Sequence, residues 1–323
     1  MDFALDETQR TAAAVARATL TREPPESAWK ALAQAGLLSL AVPGRLGGEG
    51  LGLLEIAAVL IEVGRAAAPL PALHTLALGV LPIVRFGTER QQNELLPEVA
   101  SGDRVLTAAL RGDPAIVDSE RLSGSWVGVG YAASAYRVLV PIGDRVFLVD
   151  PRSPGVSLIR TPTSSGAPEF SMRLDGVPGE ILGGAPAELH RLAVAGACAV
   201  GDGLLAGALE LTAAHVRTRE QFGKPLATFQ AVAQQIADVY IAARTLDVAT
   251  WSGIWRQDGD LAVAAYWLAE EAPKAMQTCH HLHGGLGVDL SYPMHRYYSM
   301  TKDLVRFLGG AEHRLGELTC TSS

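Results

Sequence analysis

Three regimes of hydrophobic patterning follow one another along the 323 residues. Residues 1–103 carry apolar positions at helical spacing, interrupted by turn signals. An Ala-rich run over 6–20 predicts a helix that stops before Pro24-Pro25, because proline removes a backbone donor and clashes with the preceding turn. Trp29, Leu32 and Leu37 pattern a second helix over 26–37, and 53–63 a third with Glu55 and Glu62 on its far face. Thr88 followed by Gln91 has the capping-box spacing and opens a fourth helix through about residue 99. Across 104–186 the period changes. Short β-rich runs at 105–110, 126–129, 136–141, 145–149, 156–159 and 170–174 are punctuated by Gly, Pro, Ser and Asp. This predicts a small antiparallel barrel or sandwich. No helix-length pattern separates the runs, so a parallel βαβ sheet is not expected. Residues 187–323 return to helix in four long pieces, 188–216, 228–256, 260–281 and 293–318, which predict a four-helix bundle. The expected fold class is therefore α+β, mainly α. It has an N-terminal helical domain (1–103), a middle β domain (104–186) and a C-terminal bundle (187–323).

Composition narrows the function. With 48% hydrophobic and only 19% charged residues, the chain implies much buried helix or a large subunit interface. Lys+Arg 27 against Asp+Glu 34 leaves −7, so no basic face for nucleic acid is expected. Cys198, Cys279 and Cys320 are far apart and odd in number. They predict no disulfide framework, a reducing compartment and hence a cytoplasmic location. The opening MDFALDETQR lacks a basic stretch followed by an apolar one, so no signal peptide is expected. The run LAVAGACAVGDGLLAGAL at 192–209 has the length of a membrane span. It carries Asp202 and four glycines and is rich in Ala, which predicts a buried helix packed closely on its neighbours and no membrane span.

Two segments carry candidate chemistry. In RTREQFGKPLATFQ (217–230) a long helix ends near Arg219, the chain turns at Gly223-Lys224-Pro225, and another helix starts. Arg219 presents a planar fork suited to phosphate. Gln221 and Gln230 can hydrogen-bond a ribose or a base, and Phe222 can exclude water. An ordinary helix hairpin with a surface Arg fits the same spacing. In HHLHGGLG (280–287), Gly284 and Gly285 follow a helix and let backbone N–H groups approach a phosphate, or simply cap the helix. The histidines lack a Cys or carboxylate at ligand spacing, so no metal is expected. RLGGEGLG (45–52) lacks the dinucleotide spacing and reads as a helix-linking loop. No nucleophile elbow, zinc-protease, C-x-x-C or P-loop motif occurs. Asp202, inside an apolar helix, is either an Arg partner or a functional carboxylate.

Helices, then a small β domain, then four helices, with REQFGKPLATFQ and HGGLG in the last part, together resemble the acyl-CoA dehydrogenase family over essentially the whole chain. The resemblance implies FAD bound between subunits. Arg219, Gln221, Phe222, Phe229 and Gln230 match the segment that holds the FAD pyrophosphate and adenosine of a neighbouring subunit, and His281, Gly284 and Gly285 the second such segment. The family usually has Gln where His281 stands. It also implies α,β-desaturation of an acyl-CoA thioester, with a dry Glu as base and an electron-transfer flavoprotein-like acceptor. At the family's two base locations this chain has Leu308 and the neighbourhood of Ala193, so no catalytic residue is expected in it. The flavin-ring loop and strand correspond to 107–114 (TAALRGDP) and 126–129 (WVGV), the latter without its hydroxyl. This asymmetry resembles the base-lacking chain of actinobacterial heterotetrameric enzymes acting on steroid side chains, assembled two-and-two with a related chain that carries the Glu. Two alternatives stay open: a self-sufficient homo-oligomer using Glu312 or Asp202, and a structural paralogue without flavin.

Overall fold

A computed structural model describes residues 4–118, 121–256 and 260–320. Helices come first: α1 (Glu7–Arg22), α2 (Pro25–Gln34), α3 (Leu53–Arg65), α4 (Leu73–Phe86) and α5 (Glu89–Ala100). The capping box opening α5 is present in full. Thr88 Oγ1 accepts from the Gln91 amide at 3.3 Å and Gln91 Oε1 accepts from the Thr88 amide at 2.9 Å. Helix α4 had no amphipathic signature because Leu73, Leu76–Ile83 and Thr75 are all buried, so no polar stripe exists to set a period. Its first eight residues, Leu73–Val80, form a π-helix.

Eight strands follow: β1 (Val105–Ala108), β2 (Arg111–Asp118), β3 (Arg121–Gly130), β4 (Ala135–Ile142), β5 (Arg145–Val149), β6 (Val156–Thr161), β7 (Glu169–Pro178) and β8 (Glu180–Ile181). They make two four-stranded sheets, ordered β1-β4-β5-β8 and β2-β3-β7-β6. Trp126 and Val129 of β3, Val138 and Val140 of β4, Phe147 of β5 and Met172 of β7 share one core, which is a sandwich. Two details differ from the pattern-based expectation. Strand β1 pairs parallel with β4. The crossover it needs is the β2–β3 hairpin, which belongs to the other sheet, rather than a helix. And RGDP (111–114) begins β2 instead of lying in a loop.

The long helices are α6 (Pro186–Thr218), α7 (Gln230–Arg256), α8 (Asp260–His283) and α9 (Met294–Leu308), with α10 (Ala311–Cys320) after them. The expected single helix over 293–318 is broken at Gly309-Gly310, where φ of 91° and 88° ends α9 in a left-handed cap. Helix α6 is long and apolar enough to cross a membrane, but 83% of its most apolar window is buried inside the structure. Its glycines explain why. A Cβ on Gly203 would lie 1.9 Å from the Ile61 carbonyl oxygen, and one on Gly64 of α3 would lie 2.1 Å from that of Val200. The two helices meet backbone to backbone, which larger side chains forbid.

The chain forms two compact units. One contains Leu60–Ala68 and Ala197–Ser323 with the first thirteen residues; the other contains Ala14–Val59 and Pro69–Gly196.

Candidate functional site

Helix α6 ends at Thr218, and the Arg219 amide still donates to the His215 carbonyl at 2.8 Å. A two-stranded ribbon then forms from β9 (Glu220–Gln221) and β10 (Lys224–Pro225), with Lys224 opposite Gln221. The reversal sits at Phe222-Gly223, one residue earlier than expected. Both have positive φ, 53° and 77°, which is the geometry of a two-residue hairpin turn whose twist matches its strands. Glycine accepts this freely. Phenylalanine does not, so Phe222 is held in a disfavoured backbone state with 91% of its surface exposed. Its ring meets Phe229 edge-on at 6.2 Å, and Lys224 Nζ lies 4.3 Å from the Phe229 ring centre. Arg219, Gln221 and Gln230 are exposed, and Gln230 opens α7 at the positive end of that helix.

His281 is exposed in the last turn of α8, and the short 3₁₀ turn Gly284–Val288 follows. Gly284 has φ 57°, which helix capping explains. Gly285 does not have positive φ, and a Cβ there would meet nothing within 4 Å. Neither backbone conformation nor internal packing asks for a glycine at 285, so its amide stands open to approach.

The two segments lie far apart in sequence, yet His215 and His283 bring them together. Their rings stack at 4.5 Å with 21° between planes, four residues before Arg219 and one before Gly284. His283 Nδ1 lies 2.8 Å from the Cys279 carbonyl oxygen and must donate to it, which leaves Nε2 to accept from the Tyr292 hydroxyl at 3.1 Å. This tautomer is the neutral one. His283 stood out in the sequence only as part of the HHLHGGLG run and His215 not at all, because nothing in periodicity pairs α6 with α8.

The candidate bases are placed plainly. Leu308 ends α9 with 1% exposure, and its carbonyl accepts from Arg314 Nε at 2.6 Å. Ala193 is buried in α6. Glu312 is exposed in the first turn of α10. Asp202 is buried at 4% exposure, with Asp247 and Glu62 near it and Arg65 and Arg244 acting on it. Burial, then the Asp247 charge, pushes its carboxyl well above the usual range, which favours the protonated form. It belongs to a buried charge cluster, not an open base position.

In the other unit, Thr107 is fully buried with Oγ1 3.3 Å from His74 Nδ1. Burial presses His74 down to about 4, so its ring is neutral. Tyr131, at a left-handed φ of 57°, packs its ring 5.3 Å from His74. Trp126 is buried, Val127 beside it is 55% exposed, and Gly128, which follows, carries no hydroxyl. The π-helical turn and the left-handed Tyr131 are backbone features that no sequence pattern announced.

Comparison with known proteins places this geometry. The family described as "Acyl-CoA dehydrogenase, N-terminal domain" matches residues 1–103, and "Acyl-CoA dehydrogenase, C-terminal domain" matches 186–317. The chain is 48% identical to the acyl-CoA dehydrogenase FadE28 of Mycobacterium tuberculosis, covering 98% of this chain and 97% of that protein. It superposes on a chain of the ChsE4–ChsE5 complex from Mycobacterium tuberculosis with a TM-score of 0.92 at 33% identity, over 99% of this chain and 98% of the other. A variant of the Tcur3481–Tcur3483 steroid ACAD gives 0.90 at 35% identity, over 98% of both chains.

Proposed function

The chain belongs to the acyl-CoA dehydrogenase family of FAD-dependent oxidoreductases, and from that premise we propose that it is the base-lacking subunit of a heteromeric acyl-CoA dehydrogenase. FAD is the expected cofactor. The observation that carries the reading is Leu308: where the family resemblance expects a proton-accepting Glu there is a buried leucine. The nearest carboxylate along the chain, Glu312, is exposed to water, where a general base for a weakly acidic α-proton is poorly matched. Asp202 favours its protonated form and cannot serve as an acceptor in that state.

The residues present are ones that would hold the group. Arg219 would pair with the pyrophosphate, beside the amides of Gly284 and Gly285 and a hydrogen bond from His281, where the family usually has Gln. Gln221 and Gln230 would bond the adenosine, and Phe222 and Phe229 would keep water from it. When bound, the flavin supplies the acceptor for the hydride leaving the β carbon. The partner chain's Glu takes the α proton, and an electron-transfer flavoprotein-like protein reoxidises the complex. Two of the structural neighbours carry two-chain names, one of them a steroid ACAD, which supports a 2:2 assembly in the cytoplasm acting on the CoA thioester of a steroid side chain during cholesterol catabolism. Helix α7 supports association directly: Ile241, Val248 and Trp255, seven residues apart, are exposed by 59%, 44% and 56% along one face.

The test is co-expression with a related chain that carries the Glu. The expected product is a yellow 2:2 complex that desaturates the thioester, while this chain alone is flavin-free or poorly soluble. A monodisperse, yellow homo-oligomer of this chain that turns over an acyl-CoA would overturn the reading.

A further inference from the structure

We propose that the stack of His215 on His283 is the clasp that sets the spacing between the Arg219 hairpin and the Gly284-Gly285 loop, which makes both histidines positioning residues for flavin retention. The inference rests on reading those two segments as the FAD-binding segments.

Position along the helices comes first. One turn further back, Cys279 of α8 and Thr212 of α6 face each other, and both are fully buried. The His215–His283 stack is the next rung toward the loops. Beyond it the chain departs into the exposed ribbon on one side and the exposed glycine turn on the other. A shift at this rung passes straight to Arg219, whose amide is bonded to the His215 carbonyl, and to Gly284, which follows His283 directly. A bidentate contact to phosphate tolerates little displacement, so the spacing of the halves decides whether Arg219 and the loop amides reach one pyrophosphate together.

The contact has a protonation requirement. Two imidazoles stack favourably when neutral, and a charge on either sets it against a cationic surrounding. Arg219 faces His215; His215 and His280 face His283; His295 and Lys302 of α9 act on His280 in turn. Cys279 and Tyr292 complete the surroundings of His283 as hydrogen-bond partners. Every charged group in that set is a base. Both rings are held below the ordinary histidine value, first by burial; the Arg219 charge adds to this at His215, while at His283 the bond to the Cys279 carbonyl opposes it and His215 and His280 add to it. A lowered folded-state value means that the opened arrangement binds protons more readily. The clasp is therefore intact above about pH 6.5 and weakens as the pH falls below it. By about pH 5 the opened state gains up to roughly thirtyfold per ring from protonation at the ordinary value. His281 also stands in the cofactor-holding set, so variants at His215 are needed to isolate the share of the loss that belongs to the stack.

The experiment follows FAD release by flavin fluorescence from the purified complex on dilution into buffers from about pH 8 to about pH 5, with circular dichroism at each pH to exclude unfolding. For the parent complex, release is expected to rise by about tenfold or more toward the acid end, within the bound set by imidazole protonation. His215→Phe keeps an aromatic face without a titrating group at that place; it should retain flavin and flatten the profile by about half on a logarithmic scale, because His283 still titrates. His215→Lys fixes a charge at that place and should release flavin at pH 8 much as the parent does at pH 5. Should His215→Lys fail to assemble, the flattened profile of His215→Phe carries the decision alone. A His215→Phe complex that keeps the parent's pH profile, while Arg219→Ala still strips the flavin, would overturn the clasp and leave the cofactor reading standing. A parent complex that holds no FAD at pH 8 would overturn the cofactor reading and the clasp with it.

Discussion

Truncating Leu308 separates a packing role from a chemical one. The side chain is 1% exposed at the end of α9, so Leu308→Ala removes buried methyl groups and leaves a cavity that the neighbouring Gly309-Gly310 turn can fill only in part. The cost is about 2–5 kcal/mol. At about 2–4 °C per kcal/mol for a large domain, the melting temperature should fall by roughly 4–20 °C. Turnover per bound FAD should stay close to the parent value, because leucine neither donates nor accepts a proton. Leu308→Glu should not create a second active centre: proton abstraction needs base and flavin ring aligned on one substrate, and Gly128 stands without a hydroxyl on the strand that corresponds, by resemblance, to the family's flavin-ring strand. Glu312→Gln changes an exposed side chain and should alter neither stability nor rate. The assay is steady-state desaturation normalised to flavin absorbance, beside thermal unfolding of the same preparations. A fall of about a hundredfold or more for Glu312→Gln, the size expected for loss of a general base, would refute the reasoning and return the catalytic role to this chain.

Three further outcomes are expected. Arg219→Ala should weaken FAD retention by roughly one to two decades, since charged hydrogen bonds contribute about 1.5–3 kcal/mol; dialysis followed by flavin quantitation checks it. Asp202→Asn should stabilise the protein at neutral pH, because a carboxyl raised in the folded state is a protonated group that the unfolded chain would ionise; the gain should vanish as the pH falls below about 4, measured by urea unfolding at several pH values. Gly203→Ala should destabilise by about 3 kcal/mol or more, because its Cβ would lie 1.9 Å from the Ile61 carbonyl and α3 and α6 would have to part; near-parent stability would show that the helices do not meet there.

What the sequence made legible follows from how local each signal is. The capping box at Thr88 and Gln91, the short strands and the starts of α7 and α8 are written within a few residues, and they formed where expected. Helix α4 was invisible for the opposite reason: it is buried on every side, so hydrophobicity carries no period. The break at Gly309-Gly310 was hidden because the apolar spacing of α9 runs on in phase into α10. The parallel pairing of β1 with β4 and the interleaving of the two compact units depend on contacts between distant segments, which no window can contain. The candidate site divides along the same line. Arg219, Gln221, Phe222, Phe229, Gln230, His281, Gly284 and Gly285 stand in two short runs, and each run could be read by itself. That the runs lie near each other is a property of neither. It comes from α6 and α8 packing so that His215 lies on His283, with the whole of α7 between them in sequence. The proton-accepting position shows the converse. Leu308 was conspicuous only as a missing carboxylate, and the structure adds what no local pattern carried: the position is buried, and a leucine fills that space without desolvating a charge.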